Sequence, residues 1–246
     1  LLGTRTAEMH LALAAETEDP AFAPEPFTSL YQRSLYQSIR ALTGRTLRLL
    51  RSTQSRLPEA ERELATDLPG ARQALLDRVA PLLDGRMDAQ RVRTHGDLHL
   101  GQVLYTGKDF VIIDFEGEPA RPLSERRFKR SPLRDVAGMV RSFDYVAHSG
   151  LAEAQRRGVV PVEQLSLAES WARYWQRWAA AIFVRAYFGR AGDAAFLPAS
   201  DTDRARLLDA LLIEKALYEL SYELDHRPEW AGIPLRGVLA LAGTTS

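Results

Sequence analysis

The sequence contains no cysteine. That excludes a disulfide framework and any thiolate metal centre, and it suits the cytoplasm. Lysine is almost as scarce: Lys108, Lys129 and Lys215 stand alone, and the remaining basic charge is arginine. No apolar run is long enough to span a bilayer, and no signal peptide opens the chain. An excess of either charge is missing too, since 32 basic residues balance 32 acidic ones. Nothing therefore draws nucleic acid or a membrane surface as partner. There is no internal repeat, no low-complexity tract, no G-x-G-x-x-G and no Walker-type G-x-x-x-x-G-K. The chain begins at Leu1 rather than at a methionine, so we expect a trimmed fragment.

What is present suffices for one domain or one large lobe: 246 residues, 46% of them hydrophobic. The informative stretch is Thr94-His95-Gly96-Asp97-Leu98-His99-Leu100-Gly101-Gln102. The apolar run Val111-Ile112-Ile113 follows and ends in Asp114-Phe115-Glu116. Between the two, Val103-Leu104-Tyr105 and the turn at Gly107-Lys108-Asp109 read as a hairpin. A hairpin would make Asp97, Gln102, Asp114 and Glu116 converge. Phosphoryl transfer needs such groups: an aspartate to orient the acceptor hydroxyl, and an amide and a carboxylate to hold Mg²⁺ on the phosphates. The protein-kinase pattern H-R-D-x-x-x-x-N followed by D-F-G has the same spacing.

At these residues the sequence resembles the aminoglycoside-phosphotransferase-like kinases, whose loop reads H-G-D-x-x-x-x-N. Gln102 departs from that asparagine, but an amide oxygen remains for a hard cation. Residues 114–123, Ser131-Pro132-Leu133-Arg134-Asp135, Arg141-Ser142-Phe143-Asp144-Tyr145 and Glu214-Lys215-Ala216-Leu217-Tyr218 are similar to the maltokinases within that group. The resemblance implies transfer of the ATP γ-phosphoryl to the anomeric hydroxyl of maltose, with Mg²⁺ as cofactor and a possible trehalose synthase partner. It implies Asp97 as base, Gln102, Asp114 and Glu116 as metal ligands, and Asp135 as a brace of the catalytic loop. His95 is expected to brace rather than titrate, and His99 to do one or the other. The rival readings are a relative acting on an aminoglycoside, choline or another sugar, and a non-catalytic kinase-like module.

Helical periodicity predicts elements over Thr6–Ala15, from a Thr28 or Ser29 cap to Leu50, and over Ala71–Leu83, set off by Pro69-Gly70. Further helices are expected from Ser131-Pro132 through Phe143, over Leu165–Phe188, from an Asp201 or Asp203 cap to Leu224, and over Pro234–Leu241. A loop is expected from Gly150 to Pro161. The rings of Leu165–Phe188 read as core more readily than as a sugar platform. The basic segment Arg121–Arg134 is either a solvated loop or a cover that neutralises phosphate. Lys215, Tyr218 and Tyr222 share one helix face and form a candidate acceptor surface.

The expected fold is mainly α with a small β-hairpin element, the C-terminal lobe of a protein-kinase-like fold covering residues 1–246. Its catalytic loop is 94–102 and its metal segment 111–116. None of the three lysines stands where a phosphate-binding lysine belongs. The N-terminal nucleotide lobe is therefore expected to be absent, and the fragment alone inactive.

Overall fold

The computed structural model describes residues 1–15 and 17–243. In chain order the elements are α1 (Leu2–Leu13), β1 (Glu25–Pro26), α2 (Ser29–Thr53), α3 (Glu59–Ala65), α4 (Leu68–Val79), β2 (Gln90–Arg91), β3 (Val103–Tyr105), β4 (Phe110–Ile112), α5 (Leu123–Arg126), α6 (Leu133–Arg156), α7 (Leu165–Ala191), α8 (Asp201–His226) and α9 (Gly232–Ala242). Among the described residues no helix is long and apolar enough to cross a membrane. The elements sort into two units. Leu1–Pro26 with Ala89–Leu197 form the first, and Phe27–Asp88 with the chain from Pro198 onward form the second.

The first unit carries the hairpin. β3 and β4 pair antiparallel, with Val103 opposite Ile112 and Tyr105 opposite Phe110. The turn is held by Thr106, whose N–H donates to the Asp109 carbonyl at 2.8 Å. Arg5 of α1 grips the Asp109 carboxylate, with Nη2 at 2.6 Å from Oδ2. These hydrogen bonds from Arg5, with the Phe110 N–H, hold the Asp109 carboxyl below its ordinary pKa. Beneath lies α6, whose Leu133, Val136, Ala137 and Met139 are fully buried. α7 packs on both α1 and α6 through Phe183 and Tyr187. Gly3 allows the closest approach: a Cβ there would stand 2.3 Å from the Phe183 carbonyl oxygen.

The second unit is a helical group in which α8 packs on α2, α4 and α9. Thr28 caps α2, its Oγ1 accepting from the Tyr31 N–H at 3.2 Å, as the sequence suggests. Ile39, Leu50, Leu75, Val79, Ile213, Leu217, Leu220 and Val238 fill the interior.

Several expectations need correction. α1 begins at Leu2, four residues before Thr6. Pro69-Gly70 does not precede α4 but lies in its first turn, where a missing N–H costs nothing. α6 runs through Gly150 to Arg156. The cap of α8 is Ser200, whose Oγ accepts from the Asp203 N–H at 3.0 Å; both aspartates fall inside the helix, where they favour its dipole. A second ladder, β1 with β2, pairs Glu25 with Arg91. The rings of α7 divide: Phe183 and Tyr187 are core, whereas Trp171, Tyr174, Trp175 and Trp178 stay about half exposed.

Candidate active site

The segment 94–102 is shaped by Asp135, in the first turn of α6. Its carboxylate accepts the His95 N–H at 2.7 Å on Oδ2 and the Gly96 N–H at 3.0 Å on Oδ1. His10 of α1 reaches the same Oδ2 through Nε2 at 3.1 Å, and its Nδ1 meets the Tyr187 hydroxyl at 2.9 Å. With the proton on Nε2, the imidazole donates to Asp135 and accepts from Tyr187. Burial works to raise the Asp135 pKa. The His10 hydrogen bond, the nearby imidazoles and the Gly96 N–H outweigh it, so the carboxyl stays below the ordinary range. Burial, then the Asp135 charge, pushes the Tyr187 hydroxyl well above its ordinary value, so it stays a neutral donor.

The rest of the loop is fastened as closely. His95 is buried, and its Nε2 lies 2.8 Å from the Ile113 carbonyl oxygen. This imidazole thus ties the loop to the end of β4. Gly96 has φ +87°, and a Cβ there would come within 3.2 Å of Gly117 Cα. Leu100 N–H donates to Ser142 Oγ of α6 at 2.9 Å. His99 Nδ1 accepts the Gly101 N–H at 3.0 Å, and its Nε2 stands 3.8 Å from Asp97 Oδ2.

Asp97 lies between these two histidines, its N–H directed at His95 Nδ1 at 3.3 Å. Its carboxylate is partly exposed. Gln102 Nε2 donates to Asp114 Oδ2 at 2.8 Å, and the Gln102 carbonyl accepts the Ile113 N–H at 3.0 Å. Asp114 has φ +65°, the only positive value among the described non-glycine residues. Aspartate tolerates this left-handed region better than most residues. An amide and a carboxylate in contact form a donor set that suits Mg²⁺, which keeps several waters and takes its other ligands from phosphate. Bound there, the ion would neutralise phosphate charge. Glu116 points elsewhere, exposed and 3.7 Å from Arg126 Nη1. Among the described residues no three histidine, aspartate or glutamate side chains gather as a metal site.

The basic segment is largely tied down. Lys129 is buried, its Nζ 2.6 Å from the Pro20 carbonyl and 2.9 Å from Glu25 Oε1. Arg126 donates to the carbonyls of Arg121 and Pro119. Arg130 exchanges backbone hydrogen bonds with Val92. For Lys129 the expectation of a phosphate-facing cover does not hold, because a paired, buried ammonium is unavailable. Lys215, Tyr218 and Tyr222 belong to α8 in the second unit. Lys215 Nζ stands 5.3 Å from the Tyr218 ring centroid, and Tyr222 stacks on His226 at 4.4 Å.

Three supports of the loop escape a reading of sequence: His10, Tyr187 and Ser142. His10 and Tyr187 lie far from the loop in sequence and in apolar helical patterns, which give no sign of a polar partner. Gly138 is a fourth. A Cβ there would meet the Leu98 carbonyl oxygen at 2.6 Å. Gly138→Ala should therefore lower stability by about 1–3 kcal/mol, the usual cost of overpacking, and displace the loop. Gly101→Ala would meet only the movable His99 ring and should cost less. Denaturant midpoints of the two variants test this; an unchanged midpoint in Gly138→Ala would contradict the close approach.

The fold is kinase-like, of the aminoglycoside-phosphotransferase type. Residues 2–117 match the model of the phosphotransferase enzyme family. The chain is 31% identical over 241 residues to a glucosamine kinase of Mycolicibacterium smegmatis, covering 98% of this chain and 52% of that protein. It is 28% identical over 235 residues to a glucosamine kinase of Streptacidiphilus jiangxiensis, covering 95% of this chain and 46% of that protein. A solved glucosamine kinase in complex with glucosamine, ADP and inorganic phosphate superposes with a TM-score of 0.70 at 28% identity, covering 98% of this chain and 50% of the other. The chain thus spans about half the length of the curated relatives it matches.

Proposed function

We propose that this chain supplies the catalytic and acceptor half of an ATP-dependent sugar kinase, with an amino sugar of the glucosamine class as acceptor. The observation that carries the reading is the braced loop. It carries Asp97 five residues before Gln102, which contacts Asp114 at 2.8 Å, the sequence spacing that phosphoryl transfer uses. Asp97 orients the acceptor hydroxyl and takes its proton as the oxygen bonds to the γ-phosphorus and ADP leaves. Gln102 and Asp114 hold Mg²⁺; Glu116, directed at Arg126, would have to turn to join them as a further ligand. His95, His99 and Asp135 keep the loop in shape. The lysine that a kinase directs at the phosphates has no counterpart here: Lys129 is paired with Glu25, Lys215 with a ring, and Lys108 sits in the hairpin turn. We assign that lysine to a separate nucleotide lobe, in keeping with relatives about twice as long. A cytoplasmic setting, where ATP is at hand, belongs to the same reading.

Glucosamine is favoured by the relatives. Maltose is the second reading, favoured by the maltokinase-like segment Asp114-Phe115-Glu116-Gly117-Glu118-Pro119, and the trehalose synthase partner stands or falls with it. Comparing kcat/KM for the two sugars in the intact protein decides between them; a higher value for maltose would overturn the first reading. Lys215, Tyr218 and Tyr222 of α8 remain the candidates for acceptor recognition, by residue type: rings and a donor. Tyr218→Ala should then raise the sugar KM severalfold while leaving that for ATP nearly unchanged. Lys215→Ala should raise the KM for maltose but spare that for glucosamine, whose ammonium group repels a lysine. Equal effects on sugar and ATP would remove α8 from the acceptor site.

A further inference from the structure

The outer face of α7 has no role in the site. Leu167, Trp171, Tyr174, Trp175, Trp178 and Ile182 are each between 47% and 62% exposed. At 3.6 residues per turn they fall within an arc of about 100°. They form one continuous stripe that includes three of the four tryptophans in the chain. Trp171 and Tyr174 meet edge to face, as do Tyr174 and Trp178, so the rings are ordered against one another. With about 150–250 Å² on each aromatic side chain, the stripe exposes roughly 700 Å². That exceeds the few hundred Å² usual on a monomer. It approaches the ~800 Å² that each partner buries in a standard stable interface.

The order of residues says which partner fits. Leu167 lies seven positions before Tyr174, and Ile182 seven after Trp175. Trp171 lies three before Tyr174, and Trp178 three after Trp175. The stripe is therefore a palindrome of side-chain class about the Tyr174–Trp175 bond: aliphatic, indole, ring, ring, indole, aliphatic. A surface that reads the same in both directions is complementary to itself under a two-fold axis, which is what an isologous dimer requires. Laid antiparallel on its copy, α7 would set Leu167 against Ile182 and Trp171 against Trp178, with Tyr174 and Trp175 at the axis. Just beyond the ends, Glu163 of one copy would approach Arg185 of the other. Both are exposed, and their charges are opposite.

We propose that this face of α7 is a homodimer interface, two copies pairing antiparallel through Leu167–Ile182. The absence of cysteine makes the geometry testable by single introduced thiols. Light scattering on the eluted protein should give twice the 27.5 kDa of the chain, or twice the mass of any longer protein that contains it. Trp178→Glu and Trp171→Glu, each on the surface and each checked by circular dichroism, should return it to monomer. With a short bis-maleimide, Tyr174→Cys should cross-link to its own copy. Leu167→Cys should not, because its mate lies about 22 Å away along the helix, 15 residues at 1.5 Å each. A Leu167→Cys, Ile182→Cys double variant should cross-link again. A monomeric mass at high protein concentration would overturn the proposal and leave the face to a different partner. So would a dimer that survives both glutamate variants, or equal cross-linking at positions 174 and 167.

Discussion

Asp97→Asn should lower kcat by about a hundredfold or more, the usual scale for a positioned proton acceptor. Asparagine keeps the size and one oxygen of the side chain but cannot accept the hydroxyl proton as the new bond forms. The KM values for sugar and ATP should change little, because the lost interaction belongs to the transition state. The loop should keep its shape, since Asp135, His95 and Ser142 brace it and the backbone N–H that Asp97 directs at His95 is unchanged by the substitution. Steady-state kinetics on a variant with unchanged thermal stability reads the effect directly. Near-normal turnover would place the base elsewhere.

Asp135→Asn should act through structure. The native carboxylate serves three donors in a fully buried place: two backbone N–H groups and His10. An amide offers one acceptor oxygen and would turn its NH₂ toward one of those donors. Removing one partner of a buried charged network costs about 3–5 kcal/mol, or roughly 10 °C of melting temperature in a domain of this size. The pH dependence should change with it. The folded-state pKa of Asp135 is depressed, so its stabilisation is complete above the ordinary aspartate value of about 3.9. It is lost as pH falls through the lower folded value. Wild-type melting temperatures followed from pH 7 to pH 3 should therefore fall more steeply below about pH 4 than those of Asp135→Asn. Parallel curves would mean that the carboxylate is not held ionised by His10 and the loop.

The features legible in the sequence are those whose signal is local. The hairpin was marked by Val103-Leu104-Tyr105 and Val111-Ile112 around a glycine turn, and α2 by a threonine cap and apolar spacing. The Gln102–Asp114 contact followed from the hairpin, because antiparallel pairing from Val103 to Ile112 brings the flanking residues together. The same argument failed for Glu116. Asp114 has positive φ and Gly117 follows in the same region, so the chain turns and Glu116 points toward Arg126. The β1–β2 ladder is two residues long, too short for any alternation to appear. Ser200 beat Asp201 and Asp203 to the cap because all three residue types suit it and only the backbone decides. The rings of α7 misled for a related reason: apolar spacing shows a stripe, but not whether its partner lies in the same chain.

The activity proposed for the loop 94–102 with Asp114 is transfer of a phosphoryl group from ATP to a sugar. Phosphorus NMR of the intact protein with Mg-ATP and glucosamine tests it most directly. The ATP γ-phosphorus signal should be replaced by that of a sugar phosphomonoester, with ADP formed in equal amount, and Asp97→Asn should slow this conversion by about a hundredfold or more. ATP that is stable beside glucosamine and maltose alike, or that yields only inorganic phosphate, would contradict it.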